Sequence, residues 1–261
     1  MTACGLYSIE NMRSIASLVA LLAVLAACES DAKRSERTAN PAMSAATAGA
    51  TATPTESDLE ERVEGGVHRL VTTAHGALHL WTPRHYSESG DIVVYVHGDD
   101  AWREDLLASR FAASGLDALF IAGGADWGSL AELLGTTHRA NPLPTGRVIV
   151  VGYSAAQVVP WLAESQLDGL VVMDSVHGDV DRYRTWLHER RDRQLIFVGI
   201  ETARLHARLP EATVVEKLPA LGQARGGRLM LVKSERQSST MLPVVLQMAG
   251  DEGGVPVAQL P

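Results

Sequence analysis

Residues 147–156 read Arg147-Val148-Ile149-Val150-Val151-Gly152-Tyr153-Ser154-Ala155-Ala156. Four consecutive β-branched residues followed by a glycine predict a short strand buried on both faces, the signature of a parallel sheet. A helical pattern over Ala155–Glu164 follows, and Pro160 within it lacks the N–H that would reach back to residue 156, which predicts a kink. The same alternation extends in both directions. Apolar, β-branched runs recur at 91–96, 116–121, 170–173, 195–200 and 229–232. Helical patterns lie between and after them at 102–114, 130–138, 180–190, 202–209 and 241–248. Upstream, Val67–Thr73 and Ala77–Thr82 flank His75-Gly76 and read as a hairpin. Strand followed by helix, repeated, predicts an α/β fold with a doubly wound, mostly parallel sheet. In such a sheet ligands bind beyond the carboxyl ends of the strands.

The stretch Gly152-Tyr153-Ser154-Ala155-Ala156 resembles the nucleophile elbow of the α/β-hydrolase superfamily, which runs strand, Gly-x-Ser-x-Gly, helix. Gly152 matches, and Ala156 replaces the second glycine with another small residue. The resemblance implies that Ser154 is a nucleophile. It also implies that the loop after His97-Gly98, containing Gly98, Asp99 and Asp100, supplies one backbone N–H of an oxyanion hole, with the Ala155 amide as the other. Asp99 and Asp100 are a departure, because negative charge opposes an oxyanion.

The expected order in that superfamily places an acid and then a histidine after the serine. Glu201 and Asp174 both stand at strand ends suited to the acid. No histidine follows the last apolar run, nor any residue after His206. His177, in Asp174-Ser175-Val176-His177-Gly178-Asp179, is the downstream candidate for the base, with His97 and His206 next in line.

Composition narrows the field further. The chain has 261 residues, and its net charge of −8 argues against a nucleic-acid surface, which needs clustered cations. Both cysteines, Cys4 and Cys28, precede residue 29, so the remainder can carry neither a disulfide nor a cysteine-based metal site. No dinucleotide fingerprint, phosphate loop or zinc-protease motif is present, so no cofactor and no metal is expected. Arg13 precedes the apolar run Ile15–Ala27, which is shorter than the roughly 20 residues of a membrane-spanning helix and suits a signal peptide. Leu25-Ala26-Ala27-Cys28 resembles the bacterial lipobox, implying cleavage before Cys28 and its lipidation. Residues 28–58, rich in Ala, Ser and Thr, read as a disordered tether, and 59–261 as the hydrolase-like domain.

Two functions follow from these features. The first is a lipid-anchored serine hydrolase at the bacterial cell envelope, outside the cytoplasm, acting on an ester or amide bond of a small-molecule or envelope substrate. The second is a catalytically degenerate protein of the same fold with a binding role there.

Overall fold

A computed structural model describes residues 59–97, 101–123, 127–154, 158–175, 180–199, 202–235 and 238–251. The chain divides into two units, Met1–Pro54 and Thr55–Pro261, and all described residues lie in the second. Cys28, the expected signal peptide before it and the expected tether over 28–58 lie outside the described residues. No described helix is long and apolar enough to cross a membrane.

Ten strands form one sheet: β1 (Leu59–Val63), β2 (Gly66–Thr73), β3 (Gly76–Thr82), β4 (Asp91–Val96), β5 (Ala118–Gly123), β6 (Val148–Ser154), β7 (Gly169–Ser175), β8 (Gln194–Gly199), β9 (Thr213–Val215) and β10 (Leu229–Lys233). Their order is β1-β2-β3-β5-β4-β6-β7-β8-β10-β9. The first three strands form an antiparallel meander joined to β5, and from β5 to β9 all neighbours are parallel. The expected hairpin is present, closed where Thr73 pairs with Gly76. Gly76 has φ +98°, a conformation that a side chain would strain.

Helices cover both faces, which is the doubly wound arrangement. Alternation along β4 sends Ile92, Val94 and Val96 to one core and Val93 and Tyr95 to the other. The first core is closed by α3 (Leu130–Ala140), a 3₁₀ turn (Val159–Ala163), α4 (Val180–Glu189) and α5 (Thr202–His206). The second is closed by α1 (Ala101–Glu104), α2 (Leu107–Ser114) and α6 (Ser238–Gly250).

Three expectations change. The single helix over 102–114 is two, α1 and α2, because Leu106 between them adopts φ 52°, ψ 46° and breaks the helical path. Of the helix expected over 155–164, residues 155–157 lie outside the described residues, Val158 is α-helical, and Val159–Ala163 tighten into a 3₁₀ turn with Pro160 in its first positions, where a missing N–H leaves no carbonyl unsatisfied. Two edge strands, β1 and β9, were not anticipated, since Leu59-Glu60-Glu61-Arg62-Val63 offers too little apolar alternation to signal a strand.

Candidate active site at the switch point of the sheet

From β4 the chain crosses to β5 on one side, and β6 then takes the place on the other side. The winding therefore reverses between β4 and β6, and the crevice beyond their carboxyl ends is where a doubly wound sheet binds ligands. His97 directly follows β4. Its N–H donates to the Gly123 carbonyl at 3.1 Å, which extends the parallel pairing by one residue and fixes the backbone at the rim. Its side chain is only 3% exposed, and its ring lies 5.7 Å from that of Tyr95. Ser154 is the last residue of β6. It pairs with Ser175 of β7 after an irregularity in register between Gly152 and Ser154.

The backbones of Ser154 and Asp174 thus lie on adjacent strands at one sheet edge. Gly98, Asp99 and Ala155 lie outside the described residues, as do His177 and Glu201. Topology still bears on two of them, because 177 follows β7, the neighbour of β6, and 201 follows β8, the next strand over. The reserve candidates differ sharply: His97 is buried at the rim, whereas His206 is exposed at the end of α5.

Beneath the rim, one face of the sheet carries Tyr95, His97 and Tyr153. Tyr95 is fully buried, and its hydroxyl has no hydrogen-bond partner among the described residues. Burial first, then the neighbouring Tyr153 and Asp105, raises its pKa and keeps it a neutral phenol.

Further along the same face lies a group that no sequence motif marks. His68 on β2 and His79 on β3 approach with Nε2 of one 3.0 Å from Nδ1 of the other, and His68 Nδ1 lies 2.9 Å from Glu61 Oε1. Both rings stack on the Trp102 indole of α1, at 4.3 and 4.6 Å between centroids. Burial holds both imidazoles toward neutrality. For His68 the nearby Glu61 partly opposes this, while for His79 burial, with the neighbouring His68, His97 and Arg103 adding to it, pushes the pKa down to about 4. The hairpin register was the available signal: His68 opposes Trp81 and His79 opposes Leu70, so the two imidazoles are diagonal neighbours on one face. Among the described residues, no three His, Cys, Asp or Glu side chains are grouped to hold a metal ion.

Fold and site together define a doubly wound α/β protein with a serine-bearing crevice at its switch point. Neither a protein-family model nor a curated protein sequence matches the chain. Among solved structures it is similar to an arylesterase at 12% identity, covering 75% of this chain and 84% of that one, with a TM-score of 0.40. It is also similar to a hyperthermophilic esterase from the archaeon Pyrobaculum calidifontis, at 12% identity over 74% of this chain and 80% of that one, TM-score 0.40. A methylesterase gives 10% identity over 73% and 56%, TM-score 0.44. Likenesses of this size carry no argument about activity, and the fold assignment rests on the strand order above.

Proposed function

We propose that the protein is a serine hydrolase of ester bonds, with Ser154 as nucleophile. The observation that carries this reading is the placement of Ser154 at the end of β6, directly across the switch point from the end of β4. In this reading Ser154 Oγ attacks the ester carbonyl carbon while a histidine accepts its proton. The amides of Ala155 and of the Gly98-Asp99 loop hold the oxyanion. The same histidine then protonates the departing alcohol, and water releases the acid by the reverse sequence. His177 is the assigned base, oriented by Asp174 or Glu201. The lipobox-like Cys28 supports anchoring to the envelope membrane, where the substrate would be an envelope or small-molecule ester or amide.

A second reading has one observation in its favour. Between β10 and α6, where the resemblance places the histidine base, the sequence is Ser234-Glu235-Arg236-Gln237, with no histidine. A crevice so built could bind without turning over. Fluorophosphonate labelling combined with hydrolysis of an activated ester separates the two. Labelling that disappears in Ser154→Ala supports the hydrolase, whereas a wild-type protein that neither labels nor turns over replaces it with the binding role.

A further inference from the structure

We propose that the amino edge of the sheet, at the opposite end of the strands from Ser154, holds a binding site for a phosphate group in a cavity of about 350 Å³ lined by Arg191, Arg193 and Arg228. The inference stands apart from the hydrolase reading and requires no turnover.

Topology builds the site. β6, β7, β8 and β10 are consecutive neighbours, and the residues immediately before them are Arg147, Asp168, Arg193 and Arg228. Parallel pairing sets these positions within about a residue of one level. Asp168 N–H donates to the Val148 carbonyl, Gln194 N–H to the Asp168 carbonyl and Leu195 N–H to the Arg228 carbonyl. The cavity lies along this row and is also lined by Arg191 and Asp192. A volume of that order suits a small ligand.

The charges in the row are unequally committed. Asp168 and Asp192 are both held by Arg190, and the second oxygen of Asp168 accepts the Val148 N–H. Arg147 is paired with Asp91. The other three arginines have donors left. Arg193 is 4% exposed, and its Nη1 alone is engaged, with the Trp186 carbonyl and Glu189. Its Nε is buried without a partner, and its Nη2 makes no hydrogen bond among the described residues. Arg228 uses Nε and Nη2 on the carbonyls of Leu187, Arg190 and Arg191, which fixes the guanidinium and leaves Nη1 over. Arg191 is exposed, and its side chain has no partner among the described residues. Closing off the carbonyls at the end of α4 explains the bonds that Arg193 and Arg228 make. It does not explain the donors left over or the uncommitted Arg191.

The number and origin of these donors select the ligand. A carboxylate presents two oxygens in one plane, whereas a phosphate presents three acceptor oxygens in different directions, which suits guanidinium groups arriving from separate chain segments. The surrounding sequence favours approach of such an anion. Residues 180–233 carry 11 Lys and Arg against 6 Asp and Glu, in a chain whose net charge is −8. A soluble phosphate monoester and the headgroup of an anionic phospholipid share this chemistry.

Titration calorimetry of the full chain at constant ionic strength tests the site. Inorganic phosphate and sn-glycerol 3-phosphate should bind one to one, and acetate about tenfold or more weaker. Absence of saturable binding by either phosphate overturns the site, and equal affinity for acetate overturns its assignment to phosphate. Arg191→Gln alters an exposed side chain without partners, so the fold is retained, and phosphate affinity should fall about tenfold, as expected for a lost charged hydrogen bond. Arg182→Gln removes the same charge from an exposed position of α4 outside the cavity and should leave affinity within about twofold. Equal losses in the two variants would mean diffuse attraction and overturn the site. Vesicles distinguish the two sources of phosphate. Sedimentation with phosphatidylglycerol in preference to phosphatidylcholine, abolished by Arg191→Gln, assigns the site to a lipid headgroup. Equal sedimentation with both, alongside phosphate binding in solution, assigns it to a soluble monoester.

Discussion

Where β4, β6, β7 and β8 begin, charge is matched group by group; where the same strands end, neutral polar rings take over. At the beginning, Arg147 donates to Asp91 at 2.8 Å, and Asp168 accepts both the Val148 N–H at 2.9 Å and Arg190 at 2.7 Å. Arg193, almost wholly buried, donates to the Trp186 carbonyl and to Glu189, with its guanidinium 4.8 Å over the Trp186 ring. The backbone is equally tight there, since a Cβ on Gly146 would stand 2.3 Å from the Gly90 carbonyl oxygen. At the other end lie the buried Tyr95 hydroxyl, the hydrogen-bonded Glu61–His68–His79 group and the serine. Ion pairs at one end hold strands in register, with Arg193 Nε and Gln194 Oε1 there still buried without a partner among the described residues, while the other end carries the serine and the buried phenol of Tyr95. On the proposed function the contrast assigns stability and chemistry to opposite edges of one sheet, and substitutions at each edge should separate them.

The largest separation is expected from Ser154→Ala. Removing a serine nucleophile costs on the order of 10⁴-fold or more in kcat. Thermal unfolding of this variant should match the wild type within about 2 °C, as expected when the change removes a hydroxyl and no packing. Full ester turnover in Ser154→Ala would leave the carboxyl edge without its assigned chemistry.

Asp168→Ala is the mirror experiment at the other edge. It strands the Val148 N–H and deprives Arg190 of one of its two carboxylates, the other being Asp192. A loss of about 2–3 kcal/mol is expected, or a fall in Tm of roughly 5–10 °C. Fluorophosphonate labelling at a temperature where the variant is folded should be retained. A variant that melts like the wild type but no longer labels would reverse the assignment of the two edges.

Acid sensitivity tests the carboxyl edge from another direction. The pKa of His79 is about 4 in the folded state, against about 6.5 when unfolded, so between those values the unfolded chain binds more protons. Stability that is intact above about pH 6.5 is therefore lost as pH falls through this window, with no further loss from this group below about pH 4. His79→Gln should reduce the slope of unfolding free energy against pH there by up to about one proton. The slope is read from urea unfolding at several pH values, and an unchanged slope would mean that His79 is not held neutral.

How much of this was readable beforehand depended on range. The strands from β4 to β8 and β10 were legible because each is a local run of β-branched or large apolar residues, as in Val148–Val151. The position of Ser154 was legible for the same reason, one glycine past such a run. The change to a 3₁₀ turn at Val159 was not, because Val158, Trp161 and Leu162 are apolar positions common to an α-helix, and only the missing N–H of Pro160 marks it. The Glu61–His68–His79 group was least visible. It requires the register of two hairpins and the arrival of Trp102 from an element about twenty residues beyond β3, none of which any local window contains.

The smallest effect concerns Leu106, between α1 and α2 on the approach to the crevice. It combines φ 52° with a side chain 59% exposed, so it carries backbone strain with little burial to offset it. A left-handed conformation costs a side-chain-bearing residue roughly 1–2 kcal/mol. Glycine adopts it freely but loses more entropy on folding, by about 0.5–1 kcal/mol. The two nearly cancel, and Leu106→Gly should stabilise the protein by only about 0.5 kcal/mol, seen as a higher urea midpoint at constant m. Natural strain tends to persist where function holds it, so the same variant should lose turnover if Leu106 shapes the crevice. A destabilised variant would show that the leucine is retained for packing, and the strain would then belong to the scaffold and not to the site.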